Sequence, residues 1–204
     1  MHLQLVPIVV AGWEGATLLA VVTFANKPTI VGRRVTLRPM VASDADDVWA
    51  DLHDAEGIRM TGTHMTFGRD QIDSWCATRA EQAHRLDLAV IDRESGVWAG
   101  EVVVNDWDGD NRSCGFRISL GPTGRNRGLG REATMLIVDH VFDVINDPPV
   151  NRLSLEVYEF NQRAMAMYER VGFRREGVLR QALRWGETFH DAVVMSIVRS
   201  DRVN

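Results

Sequence analysis

Cysteine is scarce. Cys76 and Cys114 are the two thiols in 204 residues, and neither belongs to a Cys-x-x-Cys pair. A disulfide framework or zinc site is not expected, and a reducing, cytoplasmic setting is. No cluster of His, Cys and Asp has metal-ligand spacing, so no metal is expected. Basic charge is also short: 23 Lys and Arg face 28 Asp and Glu, a formal net charge of -5. A general nucleic-acid binder needs the opposite balance to displace phosphate counterions. The start of the chain lacks the basic segment that opens a signal peptide. Its apolar runs, residues 3–10 and 17–25, are split by Gly12, Trp13, Glu14 and Gly15. That break rules out the roughly 20 unbroken apolar residues of a membrane helix. No repeat, low-complexity tract or interdomain linker is visible.

What is there is a core-forming composition, 45% hydrophobic and 25% charged, sized for one domain with an added arm. Residues 1–30 read as an apolar arm, a β-hairpin packed on the domain or on a second copy, and the second of these implies a homodimer. A misplaced start codon is the alternative. The domain proper is residues 31–204. Alternation marks a strand at 33–38, ended by Pro39. Ser43 with Asp46 resembles a helix cap, opening a helix to about His53. Residues 58–68, rich in Gly, Thr and Met, read as a loop. From Asp70, residues Ile72, Trp75, Cys76, Ala80 and Ala83 keep helical spacing. A hairpin of strands 86–91 and 97–105 follows, then a polar loop at 106–112.

The next strand, 113–120, is stopped by Gly121, Pro122, Thr123 and Gly124. A helix from about Gly128 has Leu129, Ala133, Leu136, Ile137, Val141 and Val144 on one face and ends at Pro148 and Pro149. Strand 152–158, helix 162–171 capped by Gly172, and strands 173–185 and 188–198 around Gly186 complete the chain. The fold class is α/β, a mixed sheet with a right-handed parallel crossover between 113 and 158.

The most informative stretch joins strand 113–120 to the following helix. A helix start offers unpaired N–H groups and partial positive charge, which suit a pyrophosphate. Glycines let the backbone approach it, and Arg125 and Arg127 add charge. A Walker loop would continue Gly-Lys-Ser/Thr, and a dinucleotide turn would read Gly-x-Gly-x-x-Gly; neither spacing occurs. Alone, the segment implies only a phosphate-bearing ligand.

Arg125-x-x-Gly128-x-Gly130 resembles the Arg/Gln-x-x-Gly-x-Gly/Ala signature of the GNAT acetyltransferases. Gly121-Pro122 followed by Arg127-Gly128-Leu129-Gly130 is similar to their Rim-type branch, which acetylates ribosomal-protein N-termini. A second block agrees: a strand through Glu156, then Asn161-x-x-Ala164 and Met167-Tyr168-Glu169 before Gly172-Phe173, with Met167 where Leu is commoner. The resemblance spans about residues 33–199. It implies a GNAT fold, a mixed central β-sheet with splayed parallel strands and helices on both faces. It also implies an enzyme moving acetyl from acetyl-CoA to a primary amine: a protein N-terminus, a lysine or a small amine. A non-catalytic acyl-CoA-binding or regulatory domain is the alternative.

In that reading Ile118, Ser119 and Leu120 meet the pantetheine arm. An amide near Ser119 or Leu120 polarises the thioester carbonyl. The turn from Arg125 through Asn126, Arg127, Gly128, Leu129 and Gly130 to Arg131 holds the phosphates. Asn161 binds the arm, caps its own helix, or both. Tyr168 is the general acid or a core tyrosine. Glu156 is the first candidate base, since the glutamate at the matching place in Rim-type enzymes has that role. A strand carboxylate held by a neighbour weighs equally. Glu101 is the second candidate, with an outward position on an alternating strand as the plainer reading. His64, and His190 with Asp191, line the acceptor side or serve structure. Trp49, Trp75 and Trp107 read as packing residues. Net acidity weakly favours a cationic acceptor.

Overall fold

The computed structural model describes residues 24–202. The predicted hairpin of the arm lies outside the described residues except for its last two positions. Of these, Phe24 is buried in the core, and its amide donates to the Ala83 carbonyl at 2.8 Å.

One mixed sheet of eight strands organises the described residues. In chain order they are β1 (Ile30–Val31), β2 (Val35–Pro39), β3 (Leu86–Asp92), β4 (Trp98–Asp108), β5 (Ser113–Leu120), β6 (Arg152–Tyr158), β7 (Arg174–Trp185) and β8 (Thr188–Val198). Across the sheet they run β1-β2-β3-β4-β5-β6-β8-β7. Every pairing is antiparallel except β5 with β6. That parallel pair requires a crossover, and helix α4 (Leu129–Asp139) supplies it. Strand β1 spans the arm–domain boundary placed after residue 30.

Both faces of the sheet are covered. On one, α4 and α5 (Gln162–Val171) bury Leu129, Ala133, Ile137, Met165 and Tyr168 against Val102, Val104, Phe116 and Leu155. On the other, α1 (Ala45–Asp51) and α3 (Arg69–Thr78) bury Val48, Ile72 and Cys76 against Ala89 and Trp98. Each fully buried Leu or Ile contributes about 1.5–3 kcal/mol, so both layers are held by ordinary burial.

Several local expectations are corrected. Residues 55–61, read partly as loop, form helix α2 (Ala55–Thr61). The Asp54 carboxylate caps it by accepting from the Gly57 amide at 2.7 Å, and Gly62 closes it in the left-handed region. The cap before α1 is not Ser43: Asp44 accepts from the Val41 amide at 2.9 Å and pairs with Arg38. Strand β4 runs on to Asp108, three residues beyond the expected end. After α4 the chain widens into a π turn at His140–Val144, which shifts the helical phase and leaves Val144 exposed. Ala83 lies beyond α3 and is exposed.

Candidate active site

Strands β5 and β6 pair only at Ser113–Arg152, Cys114–Leu153 and Gly115–Ser154. Beyond that, β5 stays with β4 as far as Leu120–Gly100, while β6 stays with β8 as far as Tyr158–Ala192. The two strands therefore splay. The Gly121 amide donates to the Ala99 carbonyl at 3.0 Å. By strand alternation Ser119, opposite Glu101, also turns its backbone groups to β4. The backbone groups of Phe116, Ile118 and Leu120 then face the gap. Of the two amides offered for the carbonyl-polarising role, Ser119 and Leu120, alternation turns that of Leu120 to the gap.

The splay opens a cleft of about 790 Å³, lined by Ile118, Leu120, Asn126, Gly128, Gly130, Arg131, Glu156, Asn161 and Tyr168 among others. At one end lies the turn into α4. Among the described residues, the amides from Asn126 to Arg131 find no carbonyl partner; the next one, of Glu132, donates to Gly128. Six unpaired donors at a helix start form an anion site. The turn sits tight on β4: a Cβ on Gly124 would lie 2.2 Å from the Ala99 carbonyl oxygen. The sequence could not show that approach.

The arginines are used differently from expectation. Arg125 is not free for phosphate. It pairs with Asp54 and with Glu56 at 3.2 Å, and its Nε donates to the Leu120 carbonyl at 2.8 Å. It braces the turn against α2. Arg127 points back to the β3–β4 turn, pairing with Asp92 at 2.7 Å. Arg131 and Arg170, both exposed and both lining the cleft, hold no carboxylate among the described residues. Arg170 escaped the sequence reading because it fills an unspecified position between Glu169 and Gly172 in the second block. Leu129 is fully buried and offers only its amide.

Tyr168 is buried edge-on to Phe116 and Phe173. Its hydroxyl faces the cleft without a hydrogen-bond partner among the described residues. Burial pushes its pKa up, so it holds its proton at neutral pH. Asn161 lines the same cleft and caps α5, its Oδ1 accepting from the Ala164 amide at 3.2 Å.

The two glutamates differ. Glu156 is exposed in the cleft and makes no ion pair or hydrogen bond among the described residues. Glu101 does not point outward, a correction. It shares the sheet face of Ala89, Ser119 and Arg117, beneath α1 and α2. It lines a small pocket of about 50 Å³ with Asp51, Trp75, Trp98, Arg117 and Ser119. Its Oε2 is sealed from solvent with no partner. Burial first, and then the Asp87 charge, raise its pKa to about 7 against the opposing pull of Arg117. Asp51, missed in the sequence, is raised to about 6 by burial, while the Arg125 charge pulls the other way.

The remaining residues line neither the cleft nor the small pocket. His190 sits between Glu159 at 3.1 Å and Thr188 at 3.0 Å. Asp191 accepts from the Gln181 amide at 2.7 Å, pinning an irregular stretch of β7. His64 stacks on Trp185, and Trp49 on His53. Trp107 packs against the larger core.

A family profile described as the acetyltransferase (GNAT) domain matches residues 34–174. The chain belongs to the GNAT acetyltransferase family. It is 24% identical over 171 residues to the SPbeta prophage-derived uncharacterized N-acetyltransferase YokL of Bacillus subtilis, covering 83% of this chain and 93% of that one. It is 28% identical over 119 residues to the [ribosomal protein bS18]-alanine N-acetyltransferase of Salmonella typhimurium, covering 58% and 74%. Its fold superposes on the spermidine N-acetyltransferase of Vibrio cholerae, solved with CoA and spermine. The TM-score is 0.76 at 20% identity, over 85% of this chain and 100% of that one. This GNAT protein is an acetyl-CoA-dependent N-acetyltransferase acting on amines. The observed site fits acetyl-CoA: among the described residues, six amides without a carbonyl partner and the Arg131 and Arg170 side chains suit the diphosphate, and the strand edges where β5 and β6 part suit the amide-bearing arm.

Proposed function

We propose that this GNAT enzyme acetylates a primary amine approaching from the α1–α2 face of the sheet, with Glu101 taking the amine proton and Tyr168 returning one to the departing thiol. The observation that carries this reading is the splay of β5 from β6. It opens a cleft that holds the anion turn and shares Gly57, Thr61, Arg117 and Ser119 with a carboxylate-lined pocket. An amine must be neutral to attack, and lysine and α-amines have pKa values of about 10.4 and about 7.7–8.0. A carboxylate near 7 is suited to accept that proton at neutral pH. Glu156, exposed in the cleft, then acts on the incoming cation by charge. The backbone of Ile118 and Leu120, the amides from Asn126 to Arg131, the Arg131 and Arg170 side chains and Asn161 hold acetyl-CoA. Arg125 and Arg127 shape that turn from behind.

Tyr168→Phe keeps the ring contacts with Phe116 and Phe173 and removes only the hydroxyl. The variant is expected to bind acetyl-CoA normally and lose turnover. Unchanged turnover would remove Tyr168 from the chemistry. A cytoplasmic setting is supported by the two free, buried thiols. A homodimer is supported by exposed apolar Val178, Leu179 and Phe189 on the β7–β8 edge. Light scattering on the full chain is expected to return twice the monomer mass.

A further inference from the structure

Among the arginines of the cleft that hold no carboxylate, Arg117, Arg131 and Arg170, it is Arg117 that also lines the small carboxylate pocket. Arg125, Arg127 and Arg163 each hold a carboxylate or an amide oxygen. Arg117 holds none among the described residues, and its side chain is exposed. It stands on β5 opposite Val103, two residues before Ser119, on the same sheet face as Glu101. The anion turn leads into α4, which packs on the opposite face. Arg117 lines both the large cleft and the small carboxylate pocket. Glu101 and Asp51 lie to one side of it; Glu156 and the Tyr158 ring lie across the gap.

An unpaired guanidinium between three carboxylates is a poor design for a purely cationic acceptor. A polyamine at neutral pH brings several positive charges and only donors. One of its charges would meet Arg117. The buried indole N–H groups of Trp75 and Trp98, which line the small pocket without partners, would gain no acceptor. Net acidity does favour cations at long range, but salt screens that field beyond about 8–10 Å. At contact range the acceptor meets carboxylates and a guanidinium together, and a group that carries both charges matches both.

Resting on the acetyl-transfer reading, we infer that Arg117 is a specificity-determining residue and that the acceptor is a primary amine bearing an oxyanion, carboxylate or phosphoryl, close to its nitrogen. The amine faces Glu101 and Asp51, and the oxyanion meets the planar guanidinium fork. This sets the site apart from one built for spermidine.

The test compares kcat/KM for acceptors paired with neutral counterparts. The pairs are glycine with glycinamide, O-phosphoethanolamine with ethanolamine, and Ser-Asp with Ser-Asn as amide-capped dipeptides; spermidine is run alongside. The wild type is expected to prefer at least one anionic member by tenfold or more. The pair that responds identifies carboxylate or phosphoryl as the group. In Arg117→Gln that preference should collapse to within about twofold, mainly through KM. In Arg117→Glu it should reverse, with spermidine rising relative to the anionic acceptor. A merely structural role would lower both members of a pair equally and leave their ratio unchanged. Equal ratios in wild type and variant, or a wild type that prefers spermidine, overturn the assignment while acetyl transfer stands. No turnover of any amine overturns acetyl transfer itself, and the assignment with it.

Discussion

The two halves of the site are built from different material. The donor half is mostly backbone: the edges of β5 and β6 where pairing stops, and six amides at the start of α4. The acceptor half proposed above is mostly side chain: Glu101, Asp51, Arg117, Trp75 and Trp98, carried by separate elements. A backbone-made site depends on glycines at fixed spacing and tolerates few changes. A side-chain-made site can be altered one residue at a time while the scaffold stays. Arg125 joins the halves, linking the turn to Asp54 and Glu56 at the start of α2.

The largest expected effect falls on the acceptor half. Glu101→Gln should lower kcat/KM by about 100-fold or more at pH 7, in the range of a lost general base. The rise of wild-type activity through about pH 7 should vanish in this variant. Glu156→Gln should cost less than about tenfold. The reverse order would move the proton-accepting role to Glu156 and restore the family expectation. A pH–rate profile of both variants decides it.

Next comes stability, with the opposite sign. Burial raises the Glu101 pKa from 4.5 to about 7 in the folded chain. Between those values the folded state binds the extra proton, so stability falls as pH rises through this window. The loss is about 3 kcal/mol at most, from about 1.36 kcal/mol per pKa unit. Glu101→Gln should therefore be more stable than wild type at pH 8 and nearly equal to it at pH 4. Urea melts at the two pH values would show it, and equal midpoint differences at both would contradict it.

Smaller effects probe the donor half and its link. Gly124→Ala places a Cβ 2.2 Å from the Ala99 carbonyl oxygen and must shift the turn. Acetyl-CoA should bind about tenfold more weakly, or about 1.4 kcal/mol, with little change in the amine KM. Isothermal titration and saturation kinetics separate the two. Arg125→Leu should change both constants by about threefold each, because it unfastens α2 from the turn. A change in acetyl-CoA binding alone would place Arg125 wholly in the donor half.

This division also explains what could be read in the sequence. The sequence of strands and helices along the chain, the crossover through α4 and the glycine-rich turn before it were legible, because periodicity and glycine spacing encode backbone. The second block, with Asn161 and Tyr168, was legible through its resemblance to the family pattern. Asp51 was not, since nothing in its own neighbourhood shows that α1 brings it against Ser119. Helix α2 was hidden by its Gly and Thr content, although Asp54 and Gly62 cap it in the ordinary way. Arg125 and Arg127 carried the family signature, but their partners lie in α2 and at the end of β3, remote in sequence. The facing of Glu101 turned on strand phase: it shares the face on which Ala89 and Trp98 are buried.

The central claim, that the splay of β5 and β6 supports acetyl transfer to an amine, is tested most directly by thiol release. Purified full-length chain is incubated with acetyl-CoA across a panel of primary amines, amino acids and peptides. Free CoA thiol and acetylated product are then counted together. One thiol released per acetylated amine, absent without amine, is the predicted result. Acetyl-CoA binding with no amine-dependent release from any acceptor would contradict it.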